Sequence, residues 1–117
     1  MEKINLTYLN EMSAGDHNLL TEMIEIYNSQ VPEFINEMEK YYNDKNWEQL
    51  SATAHKAKSS VAIVGLNNLA NDLKTLELDA KKEINTENYI NIITKFKQTT
   101  LESINELNKH IQNLQRS

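Results

Sequence analysis

WEQLSATAHKAKSSVAIVG, residues 47–65, carries its apolar side chains at Trp47, Leu50, Ala54, Ala57, Val61 and Val64. Steps of three and four alternate along it, which puts all six on one face of an α-helix. Gly65 closes the stripe, and glycine is the residue that most readily takes the left-handed turn that ends a helix. The stretch therefore reads as one amphipathic helix that needs partners for its apolar face.

The flanking sequence supplies those partners. Upstream, Leu19, Leu20, Met23, Ile24, Tyr27, Val31, Phe34, Ile35, Met38 and Tyr42 recur at the same spacings. They predict a long helix that starts at an Asp16 N-cap and ends near Asn43. Pro32 lies inside it and predicts a kink, because its ring removes a backbone donor and crowds the preceding turn. "NDKN" makes the turn into residues 47–65. Downstream, Leu66, Leu69, Leu73, Leu76 and Ala80 predict another helix. "KKEINTEN" then turns the chain, with Thr86 as the expected cap of a last helix whose inner face carries Ile93, Thr100, Ile104, Leu107, Ile111 and Leu114. A short helix over Ile4 to Met12, with Leu6 and Leu9 inward, precedes the Gly15 break, and the tail "LQRS" is expected to fray.

No stretch alternates apolar and polar residues for long, so the fold class is all-α. Four amphipathic helices joined by short loops predict an antiparallel up-and-down four-helix bundle with a short extra N-terminal helix. The 117 residues suit a single domain without a linker or repeat.

Composition narrows the chemistry. The chain has no cysteine, which excludes disulfides, thiolate metal sites and a thiol nucleophile, and fits a reducing cytoplasm. A net charge of −5 without a basic stripe points away from nucleic acid and towards a soluble monomer. No apolar run is long enough for a membrane span, and the first residues lack the pattern of a secretory signal. No glycine-rich phosphate loop or serine-hydrolase elbow is present, and no two histidines have helical metal-site spacing, so no metal site is expected.

His55 stands apart from the stripe. At 100° per residue it lies about 130° from the middle of the apolar face, so it points outward. Lys58 and Ser59 follow one turn later on the same side, and Ser51, Ala52 and Ala62 complete that face. A neutral imidazole surrounded by small residues, with one ammonium within reach, is an exposed nucleophile that another protein's active site can approach. Lys56 points elsewhere, and His17 and His110 read as surface residues.

Ala54, His55, Lys58, Ser60 and Gly65 match, position by position, the motif A-H-x-L-K-G-S-x-x-x-x-G of the histidine-containing phosphotransfer (HPt) domain. The segment resembles that family. The likeness extends by pattern over about residues 4–82, and the last helix is similar only in kind. Ala57 stands where the family often has leucine, and Ser59 where it usually has glycine. The resemblance implies a phosphorelay intermediate that is a phosphocarrier and not an enzyme. A receiver domain's phospho-aspartate would donate to the remote ring nitrogen of His55, and a second receiver would take the group on. Lys58 would stabilise the phosphoryl charge, and Ser51, Ala52, Ser59 and Ala62 would form the docking pad. The implied partners are response-regulator receiver domains and a hybrid sensor histidine kinase. No cofactor is expected on this chain, since Mg2+ would sit on the receiver. A bundle adaptor without phosphoryl chemistry is the alternative.

Overall fold

The computed structural model describes residues 1–116. The helices run α1 Thr7–Ser13, α2 His17–Asn43, α3 Trp47–Ile63, α4 Asn67–Lys82 and α5 Tyr89–Arg116, with a 3-10 turn at Thr86–Asn88 before α5. Among the described residues there is no strand. α3 packs against α2 and α4, and α5 closes the ring by packing against the same two. This is the expected all-α bundle, with α1 laid on α2 at one end. Of the tail expected to fray, residues 114–116 continue α5, and Ser117 lies outside the described residues.

Local chemistry explains the boundaries. Asp16 caps α2, its carboxylate accepting from the Asn18 and Leu19 amides at 2.9 and 3.1 Å. α2 then continues unbroken through Pro32 to Asn43. Asn46 caps α3 through the Gln49 amide. At the other end of α3, the Gly65 amide donates to the Ala62 carbonyl and the Leu66 amide to the Val61 carbonyl, both at 3.0 Å. Gly65, at φ +82°, is the left-handed residue of that paired closure.

Two boundaries differ from the sequence expectation, and a third is capped from a distance. The first helix begins at Thr7 because residues 2–6 form a strap across the α3–α4 turn. The Asn5 amide donates to the Val64 carbonyl at 2.9 Å, and the Asn5 side chain accepts from the Thr7 amide. The Glu2 carboxylate accepts from the Asn68 and Leu69 amides at 2.8 and 2.9 Å, so it caps α4, whose own N-cap residue, Leu66, has no capping side chain. Thr86 caps nothing. Glu83 and Asn85 both turn left-handed, and the chain enters α5 through the 3-10 turn instead. The buried Tyr89 holds that turn by donating its hydroxyl to the Ile84 carbonyl.

The core runs the length of the ring, from Leu9, Leu20 and Ile24 to Leu50, Leu73, Leu76, Tyr89 and Phe96. Leu19, expected in the stripe, is exposed. Leu20 and Ile24 take the inward positions of these first turns, and Leu19, one step of about 100° from Leu20, stands at the edge of the stripe. Tyr27 stays in the core and donates to Ser103, which in turn donates to the Thr100 carbonyl. Burial pushes the Tyr27 phenol up to about 12, so it remains neutral.

Gly65 serves both the helix end and the strap. A Cβ there would stand 2.5 Å from the Asn5 carbonyl oxygen and 2.7 Å from the Asn5 nitrogen. Gly65→Ala will lose about 1–2 kcal/mol from the left-handed backbone alone, with a further cost for displacing the strap. Urea unfolding checks the size. Faster exchange of the Asn5 amide checks the mechanism.

Candidate functional site

α3 is fixed on both flanks, and this determines where His55 stands. Towards α2, the buried Thr53 donates its hydroxyl to Glu37 at 3.1 Å, and Ser60 donates to the Gln30 side-chain oxygen at 3.1 Å. Towards α4, the Ser51 hydroxyl donates to the backbone carbonyl of Glu77 at 2.8 Å. Ala54 and Ala57 are fully buried, and the small size of both lets the neighbouring helices come close. A rigid rod results, with its outer face turned to solvent.

The His55 side chain is 64 % exposed and lies on that outer face. Its Nδ1 is 2.9 Å from Glu77 Oε2, and Lys58 Nζ is 3.1 Å from Glu77 Oε1. One carboxylate on α4 therefore bridges the imidazole and the ammonium. Burial alone would raise the Glu77 carboxyl, but the hydrogen bonds and charges of Lys58 and His55 outweigh it and hold the group below the usual carboxylate range. Glu77 is thus ionised at neutral pH.

Ala52, Ser59 and Ala62 are exposed, as expected of an open pad. Ser51 is not: it is buried, and its hydroxyl is spent on the Glu77 carbonyl. It lies on the flank of α3 that α4 covers, which a single-helix projection does not reveal. The pad has a hollow on each side. One is lined by Glu48, Ala52, His55, Glu77, Ala80 and Lys81. In the other, Ser59, Ala62 and Ile63 face Asn5, Tyr8 and Glu11 from the N-terminal segment. Gly65 lies in the wall of this second hollow.

Lys56 is exposed, and its ammonium lies 3.9 Å from Glu37. His17 is exposed at the start of α2, and His110 is half-buried near the end of α5; neither joins His55. Among the described residues no cluster of three or more histidine, cysteine, aspartate or glutamate side chains could hold a metal ion. No described helix is long and apolar enough to cross a membrane.

Glu77 is the member of the site that the sequence reading passed over. Its signal was faint but present. It follows Leu76 and precedes Ala80 by three residues, so it flanks the apolar stripe of α4. An acid at that edge faces the adjoining helix.

The site is thus an exposed histidine on a helix of a closed bundle, backed by a carboxylate and followed one turn later by a lysine. Residues 22–117 match the Hpt domain family. The chain belongs to that family. Over 78 residues, or 67 % of this chain, it is 32 % identical to the phosphorelay intermediate protein YPD1 of Candida albicans. The match spans 42 % of that relative's length. No solved structure matches the chain.

Proposed function

We propose that this protein carries a phosphoryl group between receiver domains, and that His55 is the residue that bears it. The observation behind this reading is the exposed imidazole whose Nδ1 is engaged by Glu77, leaving the outer nitrogen facing solvent. His55 Nε2 attacks phosphorus, the N–P bond forms, and the bond to the donor's carboxylate oxygen breaks. The donor recovers its free carboxylate. The reverse sequence on a second receiver completes the relay.

The division of labour follows from what this chain has and lacks. It supplies a nucleophile, an ammonium and a rigid face, while the receiver brings the aspartate and its Mg2+. A hybrid sensor histidine kinase fits upstream. Nothing here resembles a nucleotide-binding segment, so the protein is a carrier and not a kinase.

Incubation with a phosphorylated receiver tests the proposal. The expected result is acid-labile, base-stable label on His55, with none from ATP and Mg2+ alone. Binding of receivers without any label would instead favour the adaptor.

Lys58 provides a graded test. Its ammonium is held by Glu77 at rest and is one turn from His55, close enough to turn towards an arriving phosphoryl group. Lys58→Ala should slow transfer without stopping it. A loss of about 1–2 kcal/mol, typical of a hydrogen bond to a charged group, is a roughly five- to thirtyfold drop in rate. Rapid-quench measurement of label on His55 checks it.

A further inference from the structure

We infer that residues 2–13 form a flap latched to the bundle by Glu2, and that a receiver seated beside Ser59 locks it shut. The segment precedes residues 22–117, which match the family, yet it is fastened to three helices of the bundle. The Glu2 carboxylate takes the Asn68 and Leu69 amides of α4. The Asn5 amide donates to the Val64 carbonyl at the end of α3, and Lys3 reaches Glu102 and Glu106 on α5 at 2.8 and 3.4 Å. All of these fastenings are polar links outside the apolar core.

α1 has only seven residues, too few for a helix to hold by itself. It has no acid in its first turn, no base in its last and no side-chain bond from its N-cap residue, Leu6. Its stability comes from the buried Leu9 and from the strap. Asn5 joins the two: its side chain accepts from the Thr7 amide at 3.0 Å, while its own amide holds Val64. A strap that lets go therefore leaves α1 without its start. At the far end Ala14 and Gly15 both turn left-handed, at φ 51° and 82°, and a Cβ on Gly15 would meet nothing within 4 Å. The chain can swing at these two uncrowded residues while α2 stays capped by Asp16. Strap and α1 thus open as one unit, at less cost than the bundle. The closed flap builds half of a hollow, in which Asn5, Tyr8 and Glu11 face Ser59, Ala62 and Ile63. Opening removes that wall beside the His55 face. A partner that binds only the walled form holds the flap closed by mass action.

Only the receiver's part rests on the phosphorelay reading, since the latch is tested without a partner. Amide hydrogen exchange of the whole chain, followed by NMR, is the measurement. In the parent, the hydrogen-bonded amides of Asn5, Asn10 and Ala14 should exchange together and faster than the core amides of α3 and α5. Glu2→Ala should speed all three by roughly two- to thirtyfold, the range for a lost helix cap, and leave the core amides unchanged. Glu2→Gln, whose amide oxygen still accepts, should fall between the two. A receiver that labels His55, added at about a hundred times its Kd, should slow the same three amides by about a hundredfold. One common rate for these amides and the core in the parent would mean that there is no flap, and that measurement needs no variant. A Glu2→Ala protein in which only Asn68 and Leu69 respond would make Glu2 a local cap and overturn the latch. Unchanged exchange with the receiver bound would overturn its lock on the flap. If no receiver binds or labels the chain, the phosphorelay reading fails, and the rates in the free protein still decide the latch.

Discussion

His55→Gln folds like the parent and accepts no phosphoryl group. The first half of this expectation follows from packing. The His55 side chain is 64 % exposed and contributes nothing to the core, so its removal costs only the hydrogen bond to Glu77. That is under about 1 kcal/mol for a solvated contact. Glu77 retains Lys58 as a partner, so the substitution leaves no lone buried charge. The second half follows from chemistry. A glutamine amide has the reach of the imidazole but no nucleophilic nitrogen, and His17 and His110 lie on other helices, away from the pad. Circular dichroism with thermal melting checks the fold, and labelling by a phosphorylated receiver checks the chemistry. Label persisting on the variant would place the acceptor at another residue.

Much of this arrangement is legible in the sequence, for reasons that separate local from distant effects. Apolar periodicity locates α2, α3 and α4 because each helix must bury a continuous stripe, and the stripe is written in consecutive residues. Asp16 and Gly65 mark their helix ends through bonds made within a few residues of themselves. Contacts between distant residues are not written this way. Glu2 caps α4 from 66 residues away, and nothing near Leu66 announces it. The start of α1 moves to Thr7 for the same reason, since the strap before it answers to the α3–α4 turn.

The site divides along the same line. His55, Lys58, Ser59 and Ala62 share a face of one helix, and a helical wheel finds them. Glu77 belongs to the next helix, and its place beside His55 depends on the register between α3 and α4. Ser51 exposes the limit of the wheel most clearly. It projects from the same helix as the pad, yet α4 covers it and engages its hydroxyl, so it sets register instead of meeting solvent. The small residues Ala54 and Ala57 read as members of the apolar stripe in the sequence. In the bundle they are the fully buried seam along which the neighbouring helices approach.

Ser59→Gln should cut transfer by about a hundredfold while leaving the bundle intact. Ser59 is exposed, lies one turn after His55 on the same side, and borders the hollow that Tyr8, Ala62 and Ile63 also line. A receiver that presents an aspartate to Nε2 must lay its active site against this face, and a long side chain at position 59 stands between the two surfaces. Displacing reacting atoms by about 1 Å is enough for a loss of that size. Stability should hardly change, because glutamine suits an exposed helical position and surface substitutions of this kind stay within about 0.5 kcal/mol. Ser59→Gly separates obstruction from any contribution of the serine hydroxyl. It restores the residue usual in the family and should transfer at least as fast as the parent, at roughly 0.5 kcal/mol of helix stability. Transfer kinetics and melting curves on the two variants decide the matter. Equal rates for Ser59→Gln and the parent would mean that receivers reach His55 from the side of Ala52 and Ala80, across the hollow between α3 and α4, and that the open face at Ser59 and Ala62 is not where they dock.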